Sequence, residues 1–180
     1  MINVSDEFKQ LMTERQDFKC NAEVTLANGT VLPLGEDDFS IDNNSLVDAA
    51  GANTIPLGVA LSRNVQLEIM NDDDHLSNYD FFGAKIRLYL TFELSETTEK
   101  IEYGTFTVTQ PETYGSVVTI VGYDDMYKAD KAYSTALTFP ATAKSVLIDS
   151  CDTCGILIGD SNFLHNDFQI PTMPSSEYTH

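Results

Sequence analysis

Lys85-Ile86-Arg87-Leu88-Tyr89-Leu90-Thr91-Phe92-Glu93 is the stretch on which the fold turns. Ile86, Leu88, Leu90 and Phe92 recur at every second residue, and Lys85, Arg87, Tyr89 and Thr91 fill the places between them. A period of two puts the two sets on opposite faces of an extended chain, so this is a strand with one face in a core. The same alternation returns downstream. After the polar connection Ser95-Glu96-Thr97-Thr98-Glu99, Phe106 and Val108 alternate with Thr105, Thr107 and Thr109 within Ile101–Thr109, and Tyr114-Gly115 turns the chain into Ser116–Val121.

Upstream, Val65, Leu67 and Ile69 alternate with Gln66 and Glu68, and the acidic run Asp72-Asp73-Asp74 reads as a turn after them. Nearer the start, Cys20, Ala22, Val24 and Leu26 alternate with Asn21, Glu23 and Thr25. Asn28-Gly29 tolerates the positive φ angles of a type I′ turn, so Thr30 to Leu34 is expected to return as a hairpin partner. Residues 35–62, punctuated by Gly35, Asn43-Asn44, Gly51 and Pro56-Leu57-Gly58, are expected to hold loops with one or two short strands. Ser5 caps a short helix in which Phe8, Leu11, Met12 and Arg15 share a face. About six strands joined by short turns predict an antiparallel sandwich or barrel.

Past that region the period becomes helical. Asp124-Asp125-Met126-Tyr127 begins one short helix, and Pro140-Ala141-Thr142 introduces a second. Ala143, Val146, Leu147, Ser150, Cys151 and Cys154 form its apolar stripe, Thr142 is its N-cap and Gly155 its stop. Ile156-Leu157-Ile158 follows, then a polar end with Pro171 and Pro174. The predicted class is therefore mainly β (α+β). An antiparallel barrel or sandwich with short helices occupies residues 1–132, and an incomplete second α/β subdomain begins over 133–180.

Composition bounds the function. Apolar residues at 42% in 180 residues are enough for a core, which excludes a disordered acidic tail. Against 28 Asp and Glu stand 10 Lys and Arg, a net charge of −18, so phosphate-neutralising nucleic-acid binding is disfavoured. No apolar run approaches the roughly 20 residues of a membrane span, and Met1–Glu7 has no secretory pattern. After Lys144 no basic residue occurs, while Asp149, Asp152, Asp160, Asp167 and Glu177 do.

Candidate chemistry is thin. Cys151-Asp152-Thr153-Cys154 has C-x-x-C spacing, which suits a dithiol or half a zinc site. Yet it ends a helix, where the dipole raises thiol pKa, and the remaining Cys and His are only Cys20, His75, His165 and His180. Structural, free thiols are the favoured reading. Asp72-Asp73-Asp74 and Glu36-Asp37-Asp38 lack the ligand spacing of a calcium loop and read as solvated turns, with His75 an exposed turn residue. No G-x-S-x-G, H-E-x-x-H or phosphate loop occurs, so no catalytic, cofactor or metal residue is assigned.

Three pieces carry a resemblance: Gly104-Thr105-Phe106-Thr107-Val108; Val118-Thr119-Ile120-Val121-Gly122-Tyr123-Asp124-Asp125-Met126-Tyr127-Lys128-Ala129-Asp130; and Thr142-Ala143-Lys144-Ser145-Val146-Leu147-Ile148 running to Cys154-Gly155-Ile156. Asp72-Asp73-Asp74-His75 and Tyr79-Asp80-Phe81-Phe82-Gly83-Ala84-Lys85-Ile86 join them. Together they resemble the baseplate hub and tail-associated proteins of phages and prophages of Gram-positive bacteria, over most of residues 60–180. The resemblance implies a virion structural protein of the tail, assembled in the host cytoplasm. In that family a homotrimer of two tube domains per protomer forms a pseudo-sixfold ring around the DNA channel, which adapts the tail tube or distal tail protein to the tip beside the tape measure protein. Many members of that family carry a peptidoglycan- or saccharide-cleaving domain further along the chain, and the resemblance implies that this is the N-terminal part of a longer protein. An acidic lumen suits passage of a polyanion. The rival expectation is a carbohydrate- or cell-wall-binding β-sandwich, with Tyr79, Tyr89, Tyr103 and Tyr114 stacking on sugars in place of the absent Trp.

Overall fold

The computed structural model describes residues 4–11, 13, 18–49, 62–94, 97–110, 114–132 and 134–173. The chain forms two compact units, Met1–Asp124 and Asp125–His180. It is mainly β, with a few short helices.

The first unit opens with α1 (Asp6–Leu11), whose first turn is satisfied as expected: Phe8 N donates to Ser5 Oγ at 3.1 Å. Ser5 in turn donates through its N–H and hydroxyl to Glu99, and the Phe8 ring meets Phe92 edge-on at 4.7 Å. The Leu11 side chain, Met12 and Arg15 lie outside the described residues.

Seven strands follow: β1 (Lys19–Thr25), β2 (Val31–Leu34), β3 (Ser45–Ala49), β4 (Ser62–Met70), β5 (Lys85–Glu93), β6 (Thr98–Val108) and β7 (Val117–Tyr123). They make one sheet in the order β2-β1-β5-β6-β7-β4-β3, each pair antiparallel. The alternating residues are buried as their period demands: Ala22, Val24, Val65, Leu67, Ile69, Ile86, Leu88, Phe106, Val108, Val118 and Ile120 share one core. Leu34 of β2 belongs to it and Leu46 of β3 packs on it, although these strands stand at opposite ends of the strand order. The chain leaving β2 at Leu34 is bridged to β4 at Phe39↔Ile69, with Ser40 N donating to Glu68 O at 2.8 Å, so the sheet curls towards itself.

Two sequence expectations are corrected. In the β1–β2 turn only Gly29 takes positive φ, at 86°. Gly29 N donates to Leu26 O and Leu26 N to Thr30 O, a three-residue loop rather than a type I′ turn. Asn28 uses its side chain instead, Oδ1 accepting from Thr30 N at 2.9 Å. In β5 the register shifts between Leu88 and Tyr89, opposite Gly104 (φ 148°) and Glu102. A bulge adds twist, so beyond it Leu90 is only half-buried, while Phe92 is buried as expected but against Phe8, apart from the main core.

Among the described residues β6 and β7 pair at Thr107↔Tyr123 and Val108↔Gly122, and just beyond them Thr109 N donates to Val121 O at 3.2 Å. Gly122 allows the closeness there, since a Cβ would stand 3.1 Å from Phe106 Cβ and 3.3 Å from Ile86 Cδ1. On the β6 side, Arg63 donates to Tyr103 O with its guanidinium 5.9 Å from the Phe106 ring centroid. The β4–β5 connection is pinned by buried Asn71. Its Oδ1 accepts from Leu76 N at 2.8 Å, and its Nδ2 donates to Gly115 O at 2.9 Å and to Ser77 Oγ at 3.3 Å.

The second unit comprises a 3-10 turn (Asp125–Ala129), β8 (Ala141–Thr142), α2 (Ala143–Cys154) and β9 (Gln169–Ile170) paired antiparallel to β8. Both helix-end expectations hold: Thr142 Oγ1 accepts from Ser145 N at 3.1 Å, and Gly155 takes the left-handed conformation at φ 67°. The expected stripe does not form a buried face. Cys154 is its one buried member, and Leu147 is exposed, because the described part of this unit supplies α2 with short segments rather than a sheet face.

Candidate interaction surface

The residues singled out for chemistry serve local structure. Cys20 lies half-buried on β1, where burial, with Glu36 adding to it, pushes its thiol pKa up. Burial, then Cys154 and Asp152, does the same to Cys151, and Cys154 is buried. A raised pKa opposes thiolate chemistry. Among the described residues no three His, Cys, Asp or Glu side chains are placed to hold a metal.

The acidic runs close turns. Asp38 Oδ2 accepts from Gly35 N at 2.7 Å, and Asp74, itself at positive φ, accepts from Ser77 Oγ. The Asp73 carboxyl is held below the usual carboxylate range, chiefly by its hydrogen bond with the His75 ring. Its full exposure leaves that pair little weight in stability.

The four tyrosines do not make one platform. Tyr79 is half-buried and edge-on to Phe81, and Tyr114 donates its hydroxyl to Tyr79 O. Tyr89 lies under the Lys100 ammonium, 3.6 Å from the ring centroid, and Tyr103 sits at the bulge. On the outer face of β1, β5 and β6 a ladder of opposite charges runs through Lys19–Glu93 at 3.2 Å, Arg87–Glu102 and Lys100–Glu102 at 3.9 Å. Lys85 donates to Thr107 Oγ1 at 2.6 Å. Four of the chain's 10 basic residues are thus engaged on one face of a chain carrying −18. Such exposed pairs set partner preference more than fold stability.

The second unit presents the opposite chemistry. Leu147, Leu157, Phe163, Leu164, Phe168 and Met173 are exposed, with Leu157 at 91% and Leu164 at 82%. Asp152, Asp160 and Asp167 of the same unit are exposed as well. Apolar side chains of this size gain hydrophobic free energy when they are covered. Phe163, Leu164 and Phe168 escaped the sequence reading because Asn162, His165, Asn166 and Asp167 break up any period around them. Their signal was large apolar residues inside a segment otherwise polar. Neither a scan against protein-family models nor a search of curated proteins finds a match to this chain.

Proposed function

We propose that the chain is a structural subunit of a phage or prophage tail tip, a baseplate hub component that builds a trimeric ring around the DNA channel and joins the tail tube to the tip. The order of elements supports this reading most directly. The Gly104–Val108 piece lies in β6, Val118–Asp130 runs from β7 straight into an aspartate-led 3-10 turn, and Thr142–Ile156 is a capped helix ending at Gly155-Ile156. This is the succession that the resemblance implies. A curled antiparallel sheet without catalytic signatures, followed by a unit with uncovered apolar side chains, suits a protein whose work is assembly. The net charge of −18 suits a lumen through which a polyanion slides without counterion-releasing contacts.

Its partners on this reading are two further copies, the distal tail or tail tube protein and the tape measure protein, and its place is the virion tail. The cell-wall-binding alternative has weaker support, because three of its four tyrosines are engaged by their own neighbours. Electron microscopy of tailed particles decorated with antibody to this chain tests the proposal. Label confined to the tail tip, with threefold particles from the purified protein, is expected. Unlabelled tails and a protein that stays monomeric at high concentration overturn it.

A further inference from the structure

Segment 160–168 is a loop fixed by its own backbone. Asn162 N donates to Asp160 Oδ1 at 2.8 Å, Asn166 N to Phe163 O at 3.2 Å and Phe168 N to His165 O at 3.0 Å. Two further bonds tie it to the first turn of α2, Ala143 N to Phe168 O at 2.8 Å and Lys144 N to Asn166 O at 3.0 Å. So anchored, the loop holds Leu164 and Phe168 in water, the latter 65% exposed, with Phe163 beside them. Single exposed apolar residues are ordinary, but three large ones within nine residues of an ordered loop are a surface that gains its hydrophobic free energy only when covered.

Charge selects what covers it. Asp160 and Asp167 lie in the same loop and are exposed. Lys144 is the last basic residue of the chain, and its ammonium lies 3.4 Å from Asn162 Oδ1. A second copy presenting the same loop would set Asp160 and Asp167 against their own kind at a desolvating rim. The sheet of a second copy is no better, because Lys19, Lys85, Arg87 and Lys100 are each engaged by an acid, a ring or a hydroxyl of their own face. We infer that the 160–168 loop docks on a different protein, whose contact surface has an apolar centre rimmed by Lys or Arg. The inference rests on the loop alone and stands whether or not the chain belongs to a tail.

Titration calorimetry of the whole chain with two amphipathic helical peptides tests it, one with Leu on one face and Lys on the other, the second with Glu in place of Lys. The Leu/Lys peptide is expected to bind and the Leu/Glu peptide not. The pair Leu164→Ser and Phe168→Ser should weaken binding at least about tenfold, as for a central apolar anchor. Asp160→Asn with Asp167→Asn should weaken it less and flatten its salt dependence, while Ile41→Ser with Phe82→Ser, exposed positions in the sheet unit, should change nothing. Undiminished affinity in the Leu164/Phe168 variant, or equal binding of the Leu/Glu peptide, overturns the inference. So does a wild-type dimer that this variant dissolves, since a second copy would then be the occupant.

Discussion

The two units treat their large apolar side chains in opposite ways. In the sheet unit Phe81, Phe106, Ile69, Ile86 and Ile120 are fully buried in a cluster of sixteen side chains among the described residues. In the second unit the described buried apolar residues are Ala129, Ala141 and Cys154, and Leu157, Phe163, Leu164 and Phe168 face water. The sheet unit is held by side-chain packing, whereas the second holds its shape through a capped helix, a two-residue ladder and backbone bonds. Burial and exposure are thus divided between them: the residues that hold one unit together are of the kind that the other leaves in water.

Phe106→Ala puts the greatest load on this contrast. Removing a fully buried ring from the packed core should cost about 3–5 kcal/mol in denaturant unfolding of the sheet, and a loss under about 1 kcal/mol would show that packing does not carry it. Next is Asn71→Ala, which strips partners from Leu76 N and Gly115 O and should cost about 1–3 kcal/mol. An undiminished unfolding midpoint would show that the β4–β5 connection is held by other means.

In the second unit the caps take the place of the core. Thr142→Ala should cost about 1 kcal/mol, read as faster amide exchange in α2 with the exchange of β4 and β5 unchanged. Equal acceleration in the sheet would mean that the units do not unfold separately.

A smaller effect belongs to Cys20. Its folded pKa is raised above the unfolded value, so the native state keeps the proton that the unfolded chain loses. That contribution is present below the unfolded thiol pKa of about 8.5 and fades as pH climbs from there through the folded pKa. Cys20→Ala should flatten this alkaline decline, as followed by thermal melts across pH, and an unchanged slope would remove the thiol from the account. Smallest of all, Leu157→Ser should shift stability by no more than about 0.5 kcal/mol; a larger loss would reveal a packing role for an exposed residue.

The sequence disclosed what repeats. Val24, Val65, Leu67, Ile69, Ile86, Leu88, Phe106 and Val108 alternate over several residues, and each lies where a period of two puts it. Ser5, Thr142 and Gly155 were legible because capping is local chemistry. The bulge was not, since its mark is Gly104 inside a strand and the register depends on the neighbouring strand. Asn28-Gly29 misled for a related reason: the pair permits two positive φ angles, but Asn28 satisfies Thr30 N with its side chain and needs none. β3 was expected only as a loose possibility because Leu46 and Val47 are too short a run to show a period. The stripe on α2 was legible as a pattern, but a pattern does not say whether its cover lies within the same unit. The 160–168 loop has no period at all, and its backbone anchors to Ala143 and Lys144 exist only in three dimensions.

The narrow pairing of β6 with β7 sets how the sheet behaves as a material. Two residue pairs join a β2-β1-β5-β6 half to a β7-β4-β3 half, whereas β5 and β6 are laced along nine. A load drawn across the strands therefore meets its shortest ladder at Thr107–Tyr123 and Val108–Gly122, where the Thr109–Val121 backbone bond, the Arg63–Tyr103 bond and the Phe39–Ile69 bridge share it.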